Sequence, residues 1–161
     1  MTAPVAAGYS KTQKILHWAT LVVLLLQYTV FDHVGRAYHA WMDGKDGAWT
    51  TTLIAHMALG TLVLVLALAR IALRRSHGAP LPPAEEPELF RKLAHWGHLG
   101  IYALLFALPL LGLGAWWLKI GAMAEVHEIL TNALLALVIV HVGAVVVHQF
   151  HWKTNLIARM K

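Results

Sequence analysis

Residues 125–150 read EVHEILTNALLALVIVHVGAVVVHQF, and no acidic or basic side chain follows Glu128 within them. A helix needs about 20 apolar residues to cross a bilayer, so the stretch reads as a membrane span. Three imidazoles stand within it, and two of them, His127 and His141, lie 14 residues apart. At about 100° and 1.5 Å per residue they point nearly the same way and lie roughly 21 Å apart along the axis. Polar side chains are costly in lipid and tend to face the interior of a bundle, where they act.

Three more windows are nearly free of charge: Thr20–Val30, Leu53–Ala69 and Leu99–Leu118. The whole chain of 161 residues is 58% hydrophobic and 13% charged, against about 25% charge in a soluble domain. The expectation is an all-α integral membrane protein. Residues 1–161 form one four-helix transmembrane bundle, with helices at about 10–31, 51–74, 89–118 and 125–150. Ser10 is a fitting N-cap for the first helix, which reads as a retained span because no small-residue cleavage site follows it. Asp32–Thr50 reads as an outer loop. Residues 76–88, with Pro80, Pro82, Pro83 and Pro87, read as an exposed connector. Pro109 predicts a kink, and the short turn at 119–124 makes the last two helices antiparallel neighbours. Trp116, Trp117 and Trp152 fall where interfacial aromatic belts form.

Charge sets the orientation. Lys11, Lys14, Arg70, Arg74, Arg75, Arg91, Lys92, Lys153, Arg159 and Lys161 flank one side of these spans, and Arg36, Lys45 and Lys119 the other. Ten against three predicts both termini in the cytoplasm. The net charge of +5 fits anionic lipid better than nucleic acid. The chain has no cysteine, which excludes disulfides, covalent c-type haem and thiolate-held iron–sulfur clusters.

Eleven histidines remain to be explained. Two haems stacked across a bilayer need about the spacing of His127 and His141, and each needs a second ligand at matching depth. Depth pairs His17 with His141 on the cytoplasmic side and His56 with His127 on the outer side. Hydrogen bonding between helices is the plain alternative for any one histidine. A zinc or proton pathway is another, although neither His95 with His98 nor His148 with His151 has a carboxylate on its face within a turn. Gly60, one turn after His56, suits close approach of a porphyrin or simply of a helix. Arg70, 14 residues after His56, suits a haem propionate or a snorkelling position at the interface. His95, His98 and His148 lie near the cytoplasmic interface. His148 suits a quinone carbonyl or proton relay, or contact with water and headgroups.

Tyr9-Ser10, Gln13-Lys14 and His17-Trp18 resemble the opening of the bacterial cytochrome b561 family. His56 with Gly60 and Arg70 resembles its second helix. Leu93-Ala94-His95-Trp96-Gly97-His98-Leu99, Ile101-Tyr102, Ala107-Leu108-Pro109 and Gly112 resemble its third. Val126-His127-Glu128, His141, His148, Trp152-Lys153, Asn155 and Arg159-Met160 resemble its fourth helix and tail. The resemblance covers nearly the whole chain. It implies four helices in a bacterial inner membrane and two b haems held by His17, His56, His127 and His141. It also implies ubiquinone or menaquinone as the inner partner, with superoxide or a periplasmic redox protein as the outer donor. The chain departs from the superoxide-oxidising members in its short final turn, in Thr154 where an aspartate often occurs, and in its outer charge. Asp32, Asp43, Asp46, Glu125 and Glu128 there outnumber Arg36, Lys45 and Lys119, whereas an anion collector is best positive.

Overall fold

The computed structural model describes residues 8–31, 33–82 and 86–161, so Asp32 and Pro83 of the sequence reading lie outside the described residues. Its α-helices are α1 (Lys11–Thr29), α2 (Gly35–Met42), α3 (Thr51–His77), α4 (Glu88–Leu118) and α5 (Gly121–Phe150), and a 3-10 turn at Leu156–Met160 follows. No strand occurs among the described residues. By length and composition α3, α4 and α5 can each cross a membrane. The 19-residue α1, with Lys11 and Lys14 in its first turn, falls short of that measure.

The helix starts follow their capping residues. Ser10 and Gln13 cap α1 reciprocally, each side chain accepting from the other's backbone N–H at 2.8 and 3.2 Å. Thr50 accepts from Leu53 N at the start of α3, and Gly78, at φ 76°, ends that helix in a conformation open to glycine.

Three expectations need correction. The loop after α1 is not wholly irregular, because α2 forms there and packs Ala37, Tyr38 and Trp41 against Leu53 and Trp116. Eight residues are too few for hydrophobic periodicity to stand out. The turn before α5 shrinks to Lys119 and Ile120, since the left-handed Lys119 (φ 52°) closes α4 at once and α5 begins at Gly121. The connector before α4 is not exposed throughout: Glu86 is buried, 8% exposed, because a partner on α5 draws it in.

The helices pack in the order α1 on α3, α3 on α4 and α4 on α5. Tyr28 closes the ring by donating to the Thr131 carbonyl of α5 at 2.6 Å. A core of Val23, Val63, Ala67, Leu105, Leu108 and Leu134 joins all four long helices. Leu134 lies midway between His127 and His141 on α5, so this core separates two histidine layers. Lipid is as apolar as leucine, so such contacts hold by close packing rather than by exclusion of water. The start of α1 and the last residues of the chain meet at one end. Trp18 Nε1 donates to the Met160 carbonyl (2.8 Å), Gln13 Nε2 to Gly78 (3.0 Å), and Lys14 Nζ to the Lys161 carbonyl. We call this the termini end, and the opposite one the α2 end.

Candidate cofactor site

At the α2 end, His56 of α3 faces His127 of α5 with ring centroids 6.2 Å apart and planes at 62°. Each ring is tied to a backbone carbonyl: His56 Nδ1 to Phe31 O at 2.6 Å and His127 Nδ1 to Leu108 O at 2.9 Å. A carbonyl can only accept, so Nδ1 carries the hydrogen in both rings and Nε2 keeps its lone pair. Metal-binding histidines are commonly oriented in this way. Gly112 makes room for one of them, since a Cβ there would lie 3.2 Å from His127 Cε1. Gln27 of α1 donates to the His56 carbonyl at 2.9 Å.

At the termini end, His17 of α1 faces His141 of α5 at 6.4 Å and 61°. His98 of α4 also approaches His141, at 5.2 Å. Here the anchor is a side chain. Arg70 Nη2 donates to His17 Nδ1 at 3.1 Å, and its guanidinium stands 5.3 Å from the Tyr102 ring centre. An arginine cannot accept, so in this contact Nδ1 accepts and the hydrogen sits on Nε2. That tautomer is the reverse of the one at the α2 end.

Two imidazoles on opposite sides of one metal ion have their ring centres about 6 Å apart, given metal–nitrogen bonds of roughly 2 Å. His56 with His127 and His17 with His141 meet that distance. His98 with His141 is too close for it. Among the described residues no three His, Cys, Asp or Glu side chains gather around a bare ion. Isolated pairs of neutral nitrogen donors suit a metal whose other ligands come from a flat macrocycle, and a haem held by two histidines has that donor set. The residues therefore fit the group.

The remaining sequence candidates scatter. Gly60 opens toward Gln27 of α1, whose Nε2 would lie 3.4 Å from a Cβ there. His95 is exposed and stands edge-on to Trp96. His148 is buried, with Nε2 3.2 Å from Glu86 Oε1 and Nδ1 3.0 Å from Thr154 Oγ1. Nothing in a proline-rich connector marked Glu86 as a partner for a histidine so far along the chain. Near the α2 end, Trp41 stacks on the buried Trp116 at 5.1 Å and 8°. Lys119 lies over Trp41, 4.3 Å from the ring centre. Lys45 is engaged by Asp43 at 2.8 Å, and their hydrogen bond holds the Asp43 carboxyl below the usual carboxylate range.

Comparison with known proteins follows the same outline. The family described as prokaryotic cytochrome b561 matches residues 8–161. The chain is 31% identical to cytochrome b562 of Cereibacter sphaeroides over 153 residues, 95% of this chain and 94% of that one. It is 26% identical to cytochrome b561 homolog 1 of Escherichia coli over 173 aligned positions, covering 94% and 96%. It is 27% identical to the probable superoxide oxidase CybB of Yersinia pestis over 177 positions, covering 94% of each.

Proposed function

The chain belongs to the prokaryotic cytochrome b561 family, and from that membership we propose that it carries electrons across the bacterial inner membrane through two b haems, from a donor at the α2 end to a quinone at the termini end. The family makes it a multi-pass membrane cytochrome b. The finer reading rests on one observation: two imidazole pairs at 6.2 and 6.4 Å, each with one member on α5.

In this reading α1 is a fourth span. Its exposed Ile15, Val22, Leu25 and Leu26 face lipid, and its lysines lie at the headgroups, where long side chains snorkel. The excess of basic residues places the termini end in the cytoplasm. His56 and His127 hold one haem, and His17 and His141 hold the other, with Arg70 turning from His17 to a propionate. Held by these four histidines, haem would supply one-electron redox chemistry, and the part of the chain's own residues would be to hold it and to admit donor and acceptor at either end. His98, exposed beside His141, and His148 beyond it face the quinone side, with His95 further out.

The test is a haem count by pyridine haemochrome. The wild-type chain carries two haems, and His127→Ala and His141→Ala carry one each. A single haem in the wild type, or two in either variant, removes the reading. A protein that is colourless from haem-replete cells is instead a histidine-lined transporter.

Superoxide is the leading donor, because a relative bears the name probable superoxide oxidase. The α2 end also supports a second reading, in which the chain is an electron-transfer subunit for a periplasmic redox protein. Lys45 is engaged by Asp43 and Lys119 by the Trp41 ring and carbonyl, so few cations are free to gather an anion. Superoxide-driven reduction of a quinone analogue by the purified protein alone selects the first reading. Reduction only on addition of a periplasmic fraction selects the second.

A further inference from the structure

The pair His17 and His141 spans α1 and α5, yet the long helices pack in the order α1, α3, α4 and α5, and α1 and α5 are not neighbours in that order. At the α2 end Tyr28 ties them, through its hydroxyl and the Thr131 carbonyl. Thr131 lies one turn from His127. Tyr28 lies 11 residues from His17, about 16 Å along α1. That tie is too far away to place His17. The Nδ1 of His17 meets the Arg70 side chain rather than a backbone carbonyl, so the ring's place depends on where α1 sits.

At the termini end the link between α1 and α5 is the tail. The chain leaves α5 at Phe150. It turns back through left-handed Lys153 (φ 53°) and Asn155 (φ 52°) and makes a 3-10 turn over Leu156–Met160. Asparagine tolerates that backbone conformation, but lysine adopts it at a cost. Such strain persists where surrounding contacts over-determine it. Those contacts lie further along the tail. Arg159 Nη1 donates to the Leu81 carbonyl of the connector at 2.8 Å, Trp18 Nε1 to the Met160 carbonyl at 2.8 Å, and Lys14 Nζ to the Lys161 carbonyl. Gln13, only 8% exposed, joins α1 to the same connector through the Gly78 carbonyl.

Trp18 tells the most. A tryptophan at a membrane interface ordinarily turns its N–H to water and headgroups. Trp18 is 47% exposed, yet turns it to a backbone carbonyl 142 residues along the chain. Its ring also stands edge-on to His17, at 5.6 Å and 80°. We propose that residues 151–161 form a clasp that sets the distance and tilt of His17 against His141, with Trp18 as the positioning residue through which it acts. The proposal rests on the two-haem reading, in which both rings hold one haem.

The experiment uses the full-length, haem-loaded protein and reads each haem by its low-spin electron paramagnetic resonance signal and its midpoint potential. The signal of a haem with two imidazole ligands follows the angle between the ring planes. His127→Ala and His141→Ala, each keeping one haem, assign the signals. Trp18→Phe keeps an aromatic ring and removes the N–H. It should keep two haems, shift the largest g value and the potential of the termini-end haem, and leave the other haem unmoved. Transfer of the termini-end haem to excess apomyoglobin should quicken about fivefold, the weight of one hydrogen bond. Arg159→Ala, which frees the tail from the connector, should shift the same signal in the same sense. The double variant should fall short of the sum of the two, because both act through one tail. Full additivity would mean separate causes and overturn the proposal. Unmoved signals in Trp18→Phe, or equal shifts in both haems, also overturn it and leave the two-haem reading in place. So does an Arg159→Ala protein with both signals unchanged, since Trp18 is then only a local neighbour of His17. A wild-type protein with a single haem removes the two-haem reading and the clasp with it. If Trp18→Phe loses haem, the signal of Arg159→Ala decides alone.

Discussion

The two histidine layers have the same spacing but are held by different means. At the α2 end the backbone fixes both rings, through Phe31 O and Leu108 O, with the hydrogen on Nδ1 of each. At the termini end the guanidinium of Arg70 holds His17 in the opposite tautomer, and His98 crowds His141. A carbonyl in a helix or its final turn is a fixed partner. An arginine is a movable one, with several rotatable bonds and five donors. The first layer is organised before any cofactor arrives. On the proposed two-haem reading, the second exchanges a hydrogen bond and a tautomer as haem binds, and that rearrangement lowers affinity.

The hardest test of this contrast is to load the apoprotein with haem in substoichiometric amounts. The α2-end layer should fill first, so that His141→Ala takes up the first equivalent as readily as wild type. His127→Ala should bind about tenfold or more weakly, a difference of roughly 1.4 kcal/mol. Equal uptake by the two variants would show that backbone anchoring does not matter. A titration followed by absorption at the Soret band reads the outcome.

Arg70→Gln sharpens the same comparison at one layer. Removing a positive charge disfavours the reduced form, so the midpoint potential of the termini-end haem should fall. The expected fall is on the order of 50 mV, equivalent to about 1 kcal/mol for one electron. The other haem should not move. A redox titration that shows both potentials shifting together would break the assignment of Arg70 to one layer.

Two glycines on the ligand-bearing helices give the smaller effects. Gly112→Ala places a methyl group 3.2 Å from the His127 ring, so that the imidazole must give by a few tenths of an ångström. The low-spin electron paramagnetic resonance signal of one haem should shift, with haem retained in most molecules. Gly143→Ala, two residues after His141, meets nothing within 4 Å and points away from the ligand face. Its spectrum should overlay that of wild type, and a shift there would mean that the termini-end cofactor lies against α5 more closely than the pairing implies.

Much of this arrangement was legible in the sequence because membranes simplify the code. Long apolar runs locate α3, α4 and α5, and the interval between His127 and His141 gives direction and depth from helix geometry alone. Matching depths pair His17 with His141 and His56 with His127, and the ring centres of these pairs stand 6.4 and 6.2 Å apart. What stayed hidden has a common character. Phe31 O and Leu108 O are backbone atoms, which any residue type would supply. Glu86 reaches His148 because a connector folds back over α5, and no periodicity describes a fold-back. The aromatic face of α2 lies in a segment too short to show a repeat. Gly112 entered only as one residue of a resemblance, and the His127 ring packed against it gives the physical reason for a glycine there.

That α5 carries one member of each layer makes it a ruler with two marks, and a ruler can be misprinted. Inserting one residue between Leu134 and His141 would swing the second mark about 100° around the helix while leaving the first in place. Inserting seven would nearly restore the direction and lengthen the gap by about 10 Å. Gains and losses of chain length in this helix are thus tolerated only in steps that preserve phase, whereas the segments outside α5 can drift in length without disturbing the interval between the two marks.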